Sequence, residues 1–448
     1  MAEPASPWLR ASPDRIGHRA VLTIALPITV SNATVPLIGF VDTAVIGQLG
    51  VPHLMGAMAV AAVIFNLIYW AFSFLRMGTT GLTAQALGAG DKREIAGHLL
   101  RALLVALAAA LLLVLFQRPL RTLLFWLTGG SPEVVAAGHI YFDIRIWAAP
   151  AGLVNFALLG WLIGLGRAGM AFALQLLLNV LNILLALALG LGLGLGIVGV
   201  AWAAFVAENV AAGAGLICAI RLLRAIGAFA PLSDAVDVPK LRRSIAVNVD
   251  ITIRSLVAFA SLIAFTAHGA GQGDVTLAAN GLLLNIQSVM IYLLDGFAFA
   301  AEALVGRSVG ARDRVAFWQA VEVSTLWAAA FAVLCSLATW FAGEAILAMS
   351  ARSSEVFEEA RRYLIWSALA PVVGVWAFQL DGIFIGATRT RDMRNMMLLS
   401  AAVFAVAYAI LPPLLGNHGL WLCMMILFLA RAATLLTRLP ALVRAAFP

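Results

Sequence analysis

Nine ionisable side chains lie inside long apolar stretches of this 448-residue chain: Asp42, Asp143, Arg145, Glu208, Asp250, Arg254, Asp295, Glu302 and Asp381. A charge at such depth is costly unless it faces water or a partner, so each is a candidate for lining a cavity or for pairing, and the acids among them for binding a proton or a cation. Asp42 follows Pro27 and Pro36, and each proline removes a backbone donor and lets the helix bend. An acid beside a bendable segment can couple protonation to helix shape. An acid at the outer edge of a span ending near Gly47 would instead be solvated. Asp250 and Arg254 stand four apart and can pair along one helix face. Asp143 and Arg145 stand two apart and do not face each other; each needs its own partner or water, and a structural interfacial role is the alternative. Asn179 and Asn182, three apart, face one way, as asparagines that only bond neighbouring helices also do. Glu208 has no basic residue within a turn and is therefore either protonated or watered. Asp295, Glu302 and Asp381 belong to Gly-bearing segments, including Leu294-Asp295-Gly296-Phe297 and Leu380-Asp381-Gly382-Ile383, where an acid can bind a cation or hold a broken helix end.

Other chemistries lack their residues. Lys92 and Lys240 are the only lysines, and neither stands in a G-x-x-x-x-G-K-[ST] phosphate loop. The six histidines include no pair at metal-ligand spacing and no H-E-x-x-H, and no G-x-S-x-G elbow occurs. An enzyme is not expected, nor a bound metal, nor any cofactor beyond a coupling ion. Cys218, Cys335 and Cys423 are an odd number in apolar segments and read as packing residues.

The elements that must position these groups are membrane helices. Hydrophobic residues make up 63% of the chain and charged ones 11%, against roughly 25% charged in soluble domains. Water cannot be the solvent for most of this surface. Twelve stretches reach the ~20 apolar residues needed to span a bilayer, the first over 20–46 and the last two over 395–414 and 418–439. The polar, Pro-bearing start does not read as a cleavable signal peptide. The net charge of +7 reports topology rather than a nucleic-acid partner. With the N-terminus inside, the loops that become cytoplasmic hold 21 of the 29 basic residues, from Arg10, Arg15 and Arg19 to Arg438 and Arg444. The opposite side holds five: Arg118, Arg121, Arg352, Arg361 and Arg362. This is the positive-inside bias, with both termini cytoplasmic.

A repeat organises the spans. Gly88-Ala89-Gly90-Asp91 follows the second stretch and Gly310-Ala311-Arg312-Asp313 the eighth, 222 residues on (310 − 88, 313 − 91), close to half the chain. The chain is therefore an all-α integral membrane protein of twelve transmembrane helices, in two six-helix lobes of like orientation related by a pseudo-two-fold along the membrane normal. The expected order is a cytoplasmic N-terminal segment (1–19), an N-lobe (20–223), a basic cytoplasmic linker (224–242), a C-lobe (243–440) and a cytoplasmic C-terminus (441–448). The same offset puts Asp42 on or beside Ala264, so one half alone carries this acid.

Six segments, in order, carry a family resemblance: Ala25-Leu26-Pro27-Ile28 leading to Val41-Asp42-Thr43-Ala44; Ile144-Arg145-Ile146-Trp147; Leu159-Gly160-Trp161-Leu162-Ile163-Gly164; Leu294-Asp295-Gly296-Phe297; Asp381-Gly382-Ile383-Phe384-Ile385-Gly386; and Leu415-Gly416-Asn417-His418-Gly419. Across nearly its whole length the chain resembles the multidrug and toxic compound extrusion (MATE) transporters and, within them, the DinF branch. The resemblance implies a V-shaped pair of lobes around a central cavity. It also implies alternating access and efflux of amphipathic, often cationic small molecules against inward H+ or, less favoured, Na+. It puts the family's first-span acid on Asp42, its bending proline on Pro27, and the polar cluster facing that acid on Asn179 and Asn182. At Ala186, where many relatives carry an acid, this chain has none, and Glu208 becomes the candidate second carboxylate. Asp250, Arg254, Asp295 and Asp381 are left to shape the C-lobe cavity or tie that lobe together. The expected protein is a monomeric, lipid-embedded antiporter of a bacterial inner membrane. A lipid-linked precursor flippase shares the architecture, but one for anionic head groups should line its cavity with several basic residues, and only Arg76, Arg145 and Arg254 are candidates. An enzyme would need a catalytic constellation and a channel a ring of like subunits; neither is read in this sequence.

Overall fold

In lipid a backbone must satisfy its own polar groups, and a helix does so within one segment. The computed structural model describes residues 16–351 and 353–447, so Arg10, Arg15 and Arg352, with the rest of 1–15 and residue 448, lie outside the described residues. Among the described residues there is no strand and there are fourteen α-helices: α1 (His18–Gly47), α2 (Pro52–Ala71), α3 (Phe74–Gly88), α4 (Lys92–Leu115), α5 (Gln117–Thr128), α6 (Pro132–Arg145), α7 (Ala149–Gly164), α8 (Ala168–Leu185), α9 (Gly196–Ile226), α10 (Val238–Gly271), α11 (Asp274–Gly310), α12 (Arg314–Ser350), α13 (Ser354–Gly386) and α14 (Thr390–Ala446).

Eleven helical stretches among the described residues are long and apolar enough to cross a membrane; α2 with α3 makes one of them, and α6 with α7 another. The last, α14, has 57 residues, which is about 85 Å of helix against a bilayer core of about 30 Å. It is two helices merged across Gly416, whose φ of 56° and ψ of −135° belong to glycine. Counted as two, it brings the spans to the twelve expected. Two features were not foreseen. The amphipathic, Arg-bearing α5 is a separate short helix between α4 and α6, and the end of α8 runs into a π-helical segment, Ala186–Gly192. Such widened turns are uncommon and concentrate near functional sites.

Contacts divide the chain into two compact units. The N-unit comprises Val30–Leu87 and Asp91–Ile245, with a core built around Ile46, Phe65, Phe142, Ile146 and Val200. The C-unit comprises the described residues up to Thr29, Gly88–Gly90, and those from Ala246 onward, with a core around Phe265, Leu283, Leu420 and Trp421. The division therefore falls inside α1, two residues after Pro27, and inside α10.

The duplication is visible in the packing of each unit. In the N-unit, Gly160 and Gly164 of α7 lie on α3, where a Cβ would come within 2.3 Å of the Arg76 carbonyl oxygen and 2.6 Å of the Thr80 carbonyl oxygen. In the C-unit, Gly382 and Gly386 of α13 lie on α11, where a Cβ would come within 2.5 Å of the carbonyl oxygens of Ala298 and Glu302. All four pairs obey the 222 offset (382 − 160, 298 − 76, 386 − 164, 302 − 80). Each is a small-xxx-small stripe that lets two membrane helices touch backbone to backbone. The caps obey the offset too: Asp91 accepts from the Glu94 N–H and Asp313 from the Ala316 N–H, both at 2.9 Å. Backbone cannot yield as a side chain can. Gly160→Val and Gly382→Val should each destabilise their own unit by about 1–3 kcal/mol or more, read as a lower thermal midpoint of the detergent-solubilised protein; a wild-type midpoint in both would contradict these contacts.

The connection between α9 and α10 is pinned to the start of α4. Arg93 donates two hydrogen bonds to the Asp234 carboxylate, at 2.7 and 2.8 Å, and Arg101 donates to the Asp234 carbonyl at 3.1 Å. The Arg93 guanidinium beside Asp234 holds its carboxyl below the usual carboxylate range. Glu94 gathers Arg101 and Lys240 on its two oxygens.

Candidate ion and substrate site

Asp42 stands in the N-unit part of α1, 5% exposed, and its Oδ1 has no hydrogen-bond partner among the described residues. α1 runs unbroken through Pro27 and Pro36. In the C-unit its earlier part is held tightly: the Thr29 hydroxyl donates to the Leu293 carbonyl at 3.0 Å. A Cβ on Gly296 of α11 would sit 2.2 Å from that hydroxyl and 2.7 Å from the Ala25 carbonyl oxygen. The glycine thus lets α11 press on the stretch of α1 that contains Pro27.

One asparagine of α8, Asn179, is bonded to α1, at Thr34. Asn179 Nδ2 donates to Thr34 Oγ1 at 2.5 Å, and Asn179 Oδ1 accepts from Gln175 Nε2 at 2.8 Å. Asn182 is 3% exposed, and its Oδ1, like that of Asp42, has no partner among the described residues. Ala186, where the π-helical segment begins, is fully buried.

Arg145 organises the rest of the N-unit cluster. It ends α6, where the helix tightens into one 3₁₀ turn, Ile146–Ala148, before α7 begins. Its guanidinium sits 5.2, 5.9 and 6.0 Å from the ring centres of Phe65, Tyr69 and Tyr141, within the range of a cation–π contact. On one side it meets Glu208 Oε1 at 3.5 Å. The Tyr69 hydroxyl donates to the same carboxylate at 3.0 and 2.9 Å. Gly152 of α7 makes room for this pair: a Cβ there would lie 2.5 Å from Glu208 Oε2 and 2.8 Å from the Tyr69 ring. The reading of Glu208 as an acid with no cation is therefore corrected. Its cation comes from another helix, 63 residues away in sequence, which no local window reveals. Asp143 likewise finds its own partner, Arg121 of α5. Arg145 is also the charge that acts on Asp42.

In the C-unit the expected pairing of Asp250 with Arg254 does not form. Asp250 accepts from Arg394 at 2.6 Å and from Thr390 at 3.1 Å. Arg254 donates instead to Asp381 Oδ2 at 2.5 Å, and Arg431 donates to the same oxygen at 2.5 Å. The partners lie on α10, α13 and α14, so the pairs cross between helices and outcompete the i,i+4 geometry within α10. Arg431, which sequence reasoning counted among the cytoplasmic basic residues and not among the site candidates, is 6% exposed and packs over the Phe378 ring at 5.7 Å. Asp295 acts electrostatically on Arg431. α11 and α13 are continuous, so neither Asp295 nor Asp381 holds a broken helix end.

The two units thus place unlike charges on a common scaffold: a lone buried carboxylate oxygen beside a compensated Arg–Glu pair in one, and a carboxylate clamped by two guanidiniums in the other. Comparison with known proteins agrees with this scaffold. The MatE family model matches residues 27–212 and 251–411. The chain is 39% identical over 417 residues to the DNA damage-inducible protein F of Escherichia coli (strain K12), covering 93% of this chain and 91% of that one. It is 28% identical over 445 residues to a probable multidrug resistance protein NorM of Rhizobium meliloti (strain 1021), covering 93% and 92%. An outward-facing multidrug resistance MATE family transporter of the MOP superfamily superposes with a TM-score of 0.89 over 100% of both chains at 18% identity, a likeness of fold. The chain belongs to the MatE family of multi-pass membrane efflux transporters, not enzymes, and is a homologue of the E. coli DNA damage-inducible protein F.

Proposed function

We propose that the protein is a proton-driven antiporter that exports amphipathic, often cationic drugs or toxic metabolites, with Asp42 as the residue that takes the proton. The observation that carries this reading is the buried, unpartnered Oδ1 of Asp42. Glu208, Asp250 and Asp381 all have a guanidinium on them already. An ionised carboxylate in that position attracts a cation, and a proton arriving from outside removes the attraction and the desolvation cost together. Neutralising Asp42 lets α1 bend at Pro27, where the helix lacks a backbone donor, and the cation is released. Asn179 and Asn182 keep polar groups on α8 toward α1 through this change. The basic loops support a bacterial inner membrane with both termini cytoplasmic, and the monomer is the working unit. A flippase for anionic head groups is less favoured, since Arg145, Arg254 and Arg431 are each engaged by a carboxylate.

The test is transport in proteoliposomes with a lipophilic cation under separately imposed gradients. A pH gradient alone should drive uptake, and a sodium gradient alone should not; uptake driven only by sodium would overturn the proton reading.

A further inference from the structure

Three aromatic rings around a cation, with a carboxylate alongside, is the arrangement that recognises organic ammonium ions. In the N-unit that box is filled by the protein's own Arg145. Tyr69, Tyr141 and Glu208 surround Arg145, and Asp42 stands at the same core, where Val41 and Val45 of α1 pack with Phe65, Tyr141 and Ile146. Guanidinium is charged at every working pH, so its charge is a constant of the site. Glu208 lies 3.5 Å from it through Oε1, and both of its oxygens share the Tyr69 hydroxyl, at 3.0 and 2.9 Å. Gly152 leaves room against α7 for Glu208 Oε2 and the Tyr69 ring. With Asp42 ionised, the cluster then carries two negative charges and one positive, a net charge of −1.

We propose that Arg145 is the charge-selectivity residue of the N-unit site: by cancelling Glu208 it leaves one uncompensated carboxylate, so the site takes either one proton or one substrate bearing a single positive charge. This rests on the reading of Asp42 as the exchanging carboxylate and adds a substrate class to it. A dication would bring a second positive charge toward Arg145 with no acid to meet it, and like charges at close quarters in a dry site are strongly disfavoured. A neutral amphipath would leave Asp42 ionised and unpaired.

The experiment uses full-length protein in proteoliposomes, an imposed pH gradient, and two dyes of one ring system: ethidium, a monocation, and propidium, a dication. Wild type should move ethidium at least about tenfold faster than propidium. Glu208→Gln makes the ionised site neutral and should cut ethidium transport about tenfold. Arg145→Met leaves two bare carboxylates and an empty aromatic box, and should raise propidium relative to ethidium by about tenfold. The double variant Arg145→Met/Glu208→Gln restores the net charge of −1 and should recover ethidium preference; replacing both members of a buried pair is commonly tolerated by the fold, so this arm stands even if Arg145→Met alone does not fold. A purely structural Arg145 would lower yield and rate in the single variants and recover them in the double variant, but would leave the propidium-to-ethidium ratio at its wild-type value throughout. If wild type moves both dyes equally, or if Glu208→Gln and the double variant keep the same preference and rate, the selectivity role is overturned. Absence of any pH-driven ethidium transport by wild type would instead sink the underlying antiport reading.

Discussion

Asp42→Asn is expected to abolish pH-driven efflux while leaving a folded, monodisperse protein. The substitution keeps the shape of the side chain and removes its charge. Asp42 is 5% exposed and has an oxygen without a partner among the described residues, so ionising it there costs several kcal/mol that Asn does not incur. The variant should therefore be at least as stable as wild type by thermal unfolding in detergent. Transport should fall to the level of empty liposomes, because a neutral amide can neither exchange a proton nor draw a cation into the site. Asp42→Glu, which keeps the chemistry and moves the carboxylate, should retain partial coupling. If Asp42→Asn pumped at the wild-type rate, the coupling acid would lie elsewhere, and Glu208 would be the next to test.

The opposite behaviour is expected at Asp381→Ala: a loss of fold rather than of coupling. One oxygen of Asp381 receives Arg254 from α10 and Arg431 from α14, each at 2.5 Å. Removing it leaves two guanidiniums facing one another, with Arg431 almost wholly buried. Breaking one buried ion pair typically costs about 3–5 kcal/mol, and this change breaks two at once. Folded yield and thermal midpoint should both drop sharply. Pairing the change with Arg254→Met removes the repulsion and should recover part of the loss, whereas Asp381→Ala with a wild-type midpoint would mean the clamp adds nothing.

The contrast between these acids shows what a sequence can carry. The burial of Asp42 was half legible: an acid after two prolines in an apolar stretch could face the interior or the outer water, and the structure buries it. The duplication was legible too, because the same offset that aligned Asp91 with Asp313 also aligns Gly160 and Gly164 with Gly382 and Gly386, whose contacts on α3 and α11 each unit repeats. The ion pairs were not legible. Arg145 meets Glu208 across 63 positions and Arg431 meets Asp381 across 50, while the local candidate, Asp250 with Arg254, loses to partners on other helices. Helix periodicity says which face a residue occupies and nothing about which helix packs against it. The π-helical segment at Ala186–Gly192 was hidden for a related reason: an apolar Leu, Ala and Gly run suits a widened turn and a regular one alike.

A proton count on substrate binding reaches the exchange at Asp42 without any gradient or membrane. In weakly buffered detergent solution above the pH at which Asp42 is half protonated, little release is possible; below it, adding a saturating monocation such as ethidium should displace close to one proton per protein from wild type. The Asp42→Asn variant should release none. One proton released by wild type and none by the variant is the expected result. Equal release from both, or binding by wild type with no release at any pH where the protein transports, would contradict Asp42 as the shared seat of proton and substrate.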